Sequence, residues 1–348
     1  MPRSITGEVR TVEPDPAFGD EVLLVRADAG PAIGVGHVMR CIALAEAWIE
    51  LGGRVVFASA DLPVPIEARI AQLGCRVVAV AGSEETVALA GEVGARFAVI
   101  DGYEIGPHYQ HDLHNAGVHV LVLDDRGESA TDAADVILNQ NAGARAELYA
   151  GKRGLLLLGR EYTLIRREFR AVAHARSVPE TARRILVSFG GADPANLAPV
   201  AIEALAPVSG LHVRVVVGAA NAKQVEAPAD AAAMIEVVPW LQDIAGQMRW
   251  AELAIVAAGG TCWELAACGV PMIAVPIADN QLAVSESLGD LGIGIPLARD
   301  AVSAESLRAI VTSVMYDQIW RGKMQRKGPD VIDGRGAFRV CAALRGIA

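Results

Sequence analysis

The chain has 348 residues, 52% of them hydrophobic and 21% charged, with a formal net charge of −10. At ~100–200 residues per domain this length points to two domains, and the apolar content supplies two cores and excludes general disorder. The acidic balance argues against nucleic acid or an anionic membrane as partner, since both need a basic surface, but it leaves room for a local phosphate pocket.

Residues 1–19 read as a polar extension ahead of the first strand. No secretory apolar segment stands there, and no long charge-free apolar run occurs elsewhere. The run Glu21–Asp28 (EVLLVRAD) is a buried strand. The small-residue loop AGPAIGVG follows, then a helix over 38–51 that stops at Gly52-Gly53. RVVFAS is the next strand, and IEARIAQLG a helix ending at Gly74. RVVAV, FAVID, HVLVLDD and DVILNQ follow as apolar strands separated by polar or helical segments. Continuous apolar strands alternating with helices predict a parallel, doubly wound sheet.

The pattern then restarts. RRILVSFGGADP is a strand with a glycine turn, LHVRVVVG a strand, and AELAIVAAGG a strand with a second glycine turn. TCWELAACG is a helix and VPMIAVPIA a further strand. The Arg-rich stretch between the halves places a linker at 169–183. The expected organisation is an extension at 1–19, a Rossmann-like α/β domain at 20–168, the linker, a second Rossmann-like domain at 184–325, and a C-terminal helix at 326–348 that packs back on the first domain. A cleft separates the two halves.

Ligands of open α/β sheets gather at the carboxyl ends of the strands. Three glycine turns fall there: Gly34/Gly36, Gly190/Gly191 and Gly259/Gly260. Glycine lets backbone N–H groups approach an anion, and a helix N-terminus favours negative charge, so such turns suit a pyrophosphate. A dinucleotide dehydrogenase fails on spacing, because Met39 stands where the fingerprint needs a third small residue and the second strand ends in Ser59 without a carboxylate. A GxxxxGK[ST] loop is absent as well.

His37 opens a helix at the end of the first strand. One reading is a partly buried histidine that helps the helix start. The other is a base: the positive end of a helix disfavours the imidazolium, and a neutral ring facing a cleft can take a proton from water. Glu264 also has two readings. Thr261-x-x-Glu264 spells a capping box, and a carboxylate at that place can accept hydrogen bonds from a ribose diol. His108, His111, His114 and His119 lie within twelve residues, but their spacing drifts around a helix without a familiar metal-ligand pattern, so a solvated face is expected and no metal. The cysteines Cys41, Cys75, Cys262, Cys268 and Cys341 are scattered without CxxC spacing, which reads as reduced thiols in a cytoplasmic protein.

The segments IGVGHVMRCIALAEAW, FAVIDGY, LLGREYTLIRREF, ILVSFGGADPANL and AAGGTCWELAACGVPMIAVPIADNQ occur in that order. Together, over about Val22 to Gln325, they resemble the PseG/SpsG family of nucleotide-sugar hydrolases of pseudaminic acid biosynthesis. The resemblance implies a GT-B-type architecture similar to the glycosyltransferase that makes lipid II. It implies hydrolysis of UDP-2,4-diacetamido-2,4,6-trideoxy-β-L-altropyranose to UDP and the free sugar, without a cofactor or metal. It also implies His37 as general base on water, Tyr103 and Asn280 near the reacting sugar, Glu264 on the uridine ribose and Arg166 on the substrate. The remaining candidate substrate-binding residues are Gly34, Gly36, Arg40, Gly190, Gly191, Gly259, Gly260, Thr261, Asp279 and Gln281. The expected partner is the UDP-sugar alone. The sequence does not specify an oligomeric state, and a monomer suffices for this chemistry. The competing reading is a GT-B glycosyltransferase that passes a related sugar to an acceptor other than water.

Overall fold

A computed structural model describes residues 19–30, 33–141, 143–170, 177–191, 193–218, 225–239 and 243–348. Most of the expected extension and the middle of the expected linker, 171–176, lie outside the described residues.

The first sheet contains β1 (Val22–Ala27), β2 (Arg54–Ser59), β3 (Arg76–Ala79), β4 (Ala95–Asp101), β5 (His119–Leu123), β6 (Val136–Asn139) and β7 (Leu155–Leu158). Their order is β3-β2-β1-β4-β5-β6-β7, with every neighbouring pair parallel. β1 shows how the sequence builds two layers. Successive strand residues point to opposite faces. Leu23, Val25 and Ala27 enter one core, with the helix Gly36–Glu50 and the last helix Gly336–Gly346, while Val22 and Leu24 enter a second core. Trp48, fully buried, stands edge-on to Phe97 and donates its indole N–H to the Glu21 carbonyl at 3.0 Å, so its polar atom is satisfied as its ring is buried. From the end of the chain, Ala337, Val340, Cys341 and Leu344 insert into the same core.

The second sheet contains β8 (Arg184–Ser188), β9 (His212–Val217), β10 (Met234–Pro239), β11 (Leu253–Ala257), β12 (Met272–Val275) and β13 (Ile295–Pro296). Its order is β10-β9-β8-β11-β12-β13, again all parallel. Ile185 and Val187 face one core and Leu186 the other. The architecture is therefore two doubly wound α/β domains.

Both sheets reverse winding direction beside their first strand, at β1/β4 and at β8/β11. A crevice opens outside the carboxyl ends of the strands at such a switch point. The Gly34/Gly36 loop leaves β1, Asp101 ends β4, the Gly190-Gly191 turn leaves β8 and the Gly259-Gly260 turn leaves β11. Topology alone thus gathers these residues at two crevices. All five cysteines are buried and unbridged. No helix among the described residues is long and apolar enough to cross a membrane.

Candidate active site

In the first crevice, His37 is the second residue of the helix Gly36–Glu50, whose N-terminus has no side-chain cap and no acidic residue in its first turn. Gly34 has a φ of +80°, a left-handed turn suited to glycine, and delivers the chain from β1 to the helix start. His37 Nδ1 lies 2.7 Å from Asp101 Oδ1. Burial alone would push the Asp101 carboxyl up. The charge and hydrogen bonds of Arg40, joined by His37, outweigh that and hold it at about 2. Asp101 is therefore an acceptor only, and Nδ1 must carry the shared proton. In the neutral ring this leaves the Nε2 lone pair free.

Arg40 is one turn along the same helix and packs behind the histidine. Its Nε and Nη2 donate to the two Asp101 oxygens, both at 2.6 Å, and its Nη1 reaches Asp125 Oδ2 at 2.8 Å. The guanidinium expected to touch substrate is thus committed to two carboxylates. Cys41 also approaches Asp101, at 3.6 Å, and burial holds its thiol protonated.

Asp125 sits in a loop shaped by its neighbour. Asp124, fully buried, accepts hydrogen bonds from the backbone N–H groups of Arg126, Gly127, Glu128, Ser129 and Ala130. That clamp lets Asp125 accept from Arg40, from Asn141 Nδ2 at 3.0 Å and from the Tyr103 hydroxyl at 3.3 Å. Tyr103 is 40% exposed, packs edge-on to His37 with ring centroids 5.0 Å apart, and carries the Arg126 guanidinium 4.5 Å from its ring centroid. Burial and the Asp125 charge push its phenol up, so it remains a donor at neutral pH. The Asn280 side chain meets the same phenol, linking the crevice of the first domain to the second.

In the second crevice the two glycine turns differ. Gly190 has a φ of +82°. The helix that follows it, Leu197–Leu205, is already satisfied, because Asp193 accepts from the Leu197 N–H at 3.0 Å and the Ala198 N–H at 2.9 Å. The helix Gly260–Ala267 has no side-chain cap and no first-turn acid. The Cys262 N–H donates back to the Gly259 carbonyl at 3.0 Å and the Gly259 N–H to the Ala257 carbonyl at 2.8 Å, so the N–H groups of Gly260 and Thr261 are the ones left for an anion. Gln281 stands beside this turn. Its Oε1 accepts from the Ile277 N–H at 2.9 Å, and its Nε2 lies 3.6 Å from where a Cβ on Gly259 would be. Asp279 and Asn280 are exposed in the same short turn.

The capping-box expectation for Thr261 and Glu264 is overturned. The helix begins one residue before Thr261, and neither side chain caps it. Glu264 turns instead toward Arg166, which donates to Glu264 Oε1 from Nη2 at 2.8 Å and from Nε at 3.1 Å. The ion pair replaces the helix end as the carboxylate's partner because a charged donor is the stronger one. Away from this site, His108 packs on Tyr109, His114 lies 3.6 Å from Asp135 and His119 packs against Phe97, so three of the four clustered histidines are engaged with different neighbours.

The sequence reading gave no role to Asp101, Asp124 or Asp125. The available signal was the acidic residue closing each apolar strand, in FAVID and HVLVLDD, at the carboxyl ends where sites form.

Residues 185–327 match the glycosyltransferase family 28 C-terminal domain. The spore coat polysaccharide biosynthesis protein SpsG of Bacillus subtilis is 24% identical over 233 residues, which is 65% of this chain and 69% of that protein. Among solved structures, Acinetobacter baumannii MurG superposes with a TM-score of 0.66 at 18% identity, covering 94% of this chain and 99% of that one. The spinosyn rhamnosyltransferase SpnG complexed with thymidine diphosphate superposes with a TM-score of 0.62 at 17% identity, covering 92% and 99%. The fold is that of the GT-B glycosyltransferases, two Rossmann-like parallel-sheet domains.

Proposed function

We propose that the chain hydrolyses a UDP-sugar with inversion, using His37 as general base on water. The observation that carries this reading is the His37–Asp101 contact at 2.7 Å at the end of β1. A carboxylate held ionised fixes the ring through Nδ1 and leaves Nε2 to take a proton. As water attacks the anomeric carbon, its proton passes to Nε2, and Asp101 stabilises the imidazolium that forms, in the manner of a base oriented by a third group. The C1–O bond to the diphosphate breaks and UDP leaves with its electron pair. The uncapped start of the helix Gly260–Ala267, with the Gly259-Gly260 turn, stabilises the growing phosphate charge. A single displacement needs one base, so a second carboxylate flanking the sugar is not required. Tyr103 and Asn280 meet at the sugar's expected place between the domains, and Glu264 accepts from the ribose.

The similarity to SpsG, a spore coat polysaccharide biosynthesis protein, and to a nucleoside diphosphate complex of SpnG supports a nucleotide-sugar substrate. The sequence resemblance favours UDP-2,4-diacetamido-2,4,6-trideoxy-β-L-altropyranose. Incubating the protein with this compound and no acceptor, and following UDP release and the anomer of the free sugar by NMR, tests the reading. Acceptor-free UDP release with the inverted anomer is expected. UDP release that waits for an added acceptor would instead establish a glycosyltransferase, the reading favoured by the solved neighbours that are named as transferases.

A further inference from the structure

Arg166 matches a substrate-contacting arginine by sequence, yet its side chain is only 6% exposed and each of its three guanidinium nitrogens already donates to a carboxylate. Nε and Nη2 both bond one oxygen, Glu264 Oε1, while Nη1 bonds Glu168 Oε1 at 2.6 Å. The guanidinium also packs 4.6 Å from the ring centroid of the fully buried Phe169. Glu168 in turn accepts from Arg69 Nη2 at 2.7 Å, on the helix Val64–Gln72 of the first domain. A relay of alternating charges thus runs from a first-domain helix to the carboxylate at the second-domain crevice. Glu264 Oε2 has no hydrogen-bond partner among the described residues, and the carboxylate is part-exposed.

From this geometry we infer that Arg166 is a positioning residue: it clamps Oε1 of Glu264 so that Oε2 is presented to the ribose of a bound nucleoside diphosphate, and recognition of the ribose hydroxyls depends on an arginine that never touches the ligand. The inference rests on the proposed nucleotide reading and adds to it the origin of ribose specificity. A planar fork holding one carboxylate oxygen from two nitrogens fixes orientation as well as charge, and lysine cannot reproduce that.

The test is calorimetric titration of UDP and 2′-deoxy-UDP into the wild type, R166M, R166K, E264Q and the R166M/E264Q double variant, with thermal unfolding recorded on each. The wild type is expected to prefer UDP by about tenfold, the size of one hydrogen bond to a charged group. E264Q abolishes that preference. R166M and R166K bring it close to one, and R166M adds nothing in the E264Q background, because neighbours in one network do not act additively. A purely structural arginine would lower the unfolding temperature and leave the ratio alone. If R166M does not fold, R166K carries the same comparison. A preference lost in E264Q but kept in both Arg166 variants overturns the inference while the nucleotide reading stands. Absence of UDP binding by the wild type overturns both.

Discussion

The two domains share one strand order and one switch-point crevice but fill the crevices differently. The first holds ionisable side chains packed against one another: His37, Arg40, Asp101 and Asp125. The second holds backbone, in the form of a glycine turn and an open helix start, with the Glu264 carboxylate close by. On the proposed reading, one crevice moves a proton while the other presents fixed dipoles to an anion. The same topology serves both because it dictates where a site lies and not what occupies it.

The contrast can be broken from either side. The largest effect on the fold is expected for Asp101→Ala, which leaves the part-buried Arg40 and the His37 ring without their shared, fully buried acceptor. Breaking a buried ion pair costs about 3 kcal/mol, and turnover should fall as well because the ring loses its orientation. Urea unfolding and a steady-state assay of the same preparation check this.

Acid should produce a somewhat smaller loss. The Asp101 carboxyl lies at about 2 in the folded protein against an ordinary 3.8. Its folded-state value is depressed, so its contribution is fully present above pH 3.8 and disappears as pH falls toward 2. The contribution is about 2 kcal/mol at 1.36 kcal/mol per pKa unit. Urea midpoints measured between pH 5 and pH 2 should show it, and Asp101→Ala should flatten that segment of the profile.

Smallest is Asp193→Ala, which uncaps the helix Leu197–Leu205. Losing the cap should cost about 1 kcal/mol of stability, while UDP affinity stays within twofold, because the proposed phosphate site is the other glycine turn. A tenfold change in affinity, in either direction, would move the pyrophosphate to the Gly190 side.

Much of this was legible in the sequence. The apolar runs of the inner strands, the restart of the pattern after Arg183 and the three glycine turns follow from residue type and spacing. β7, β10 and β13 were not identified, and each is the edge of its sheet. Edge strands are short or half-exposed: β13 has only two residues, Glu236 interrupts β10, and the four leucines of β7 fit a buried helix segment as well as a strand. The carboxylates around His37 and Arg40 were hidden for a different reason. Asp101 and Asp125 lie 61 and 85 residues from Arg40 along the chain, and only the β1–β4–β5 register brings them to it. Of the two readings open for Thr261 and Glu264, the capping box fails because a local pattern competes with an ion pair 98 residues away that sequence spacing does not display.

The most direct test of the division of labour is His37→Asn, assayed for acceptor-free UDP release and for UDP binding in parallel. Turnover should fall by a factor of about 100 or more, with the dissociation constant for UDP unchanged within twofold. Near-wild-type turnover in this variant would contradict the account.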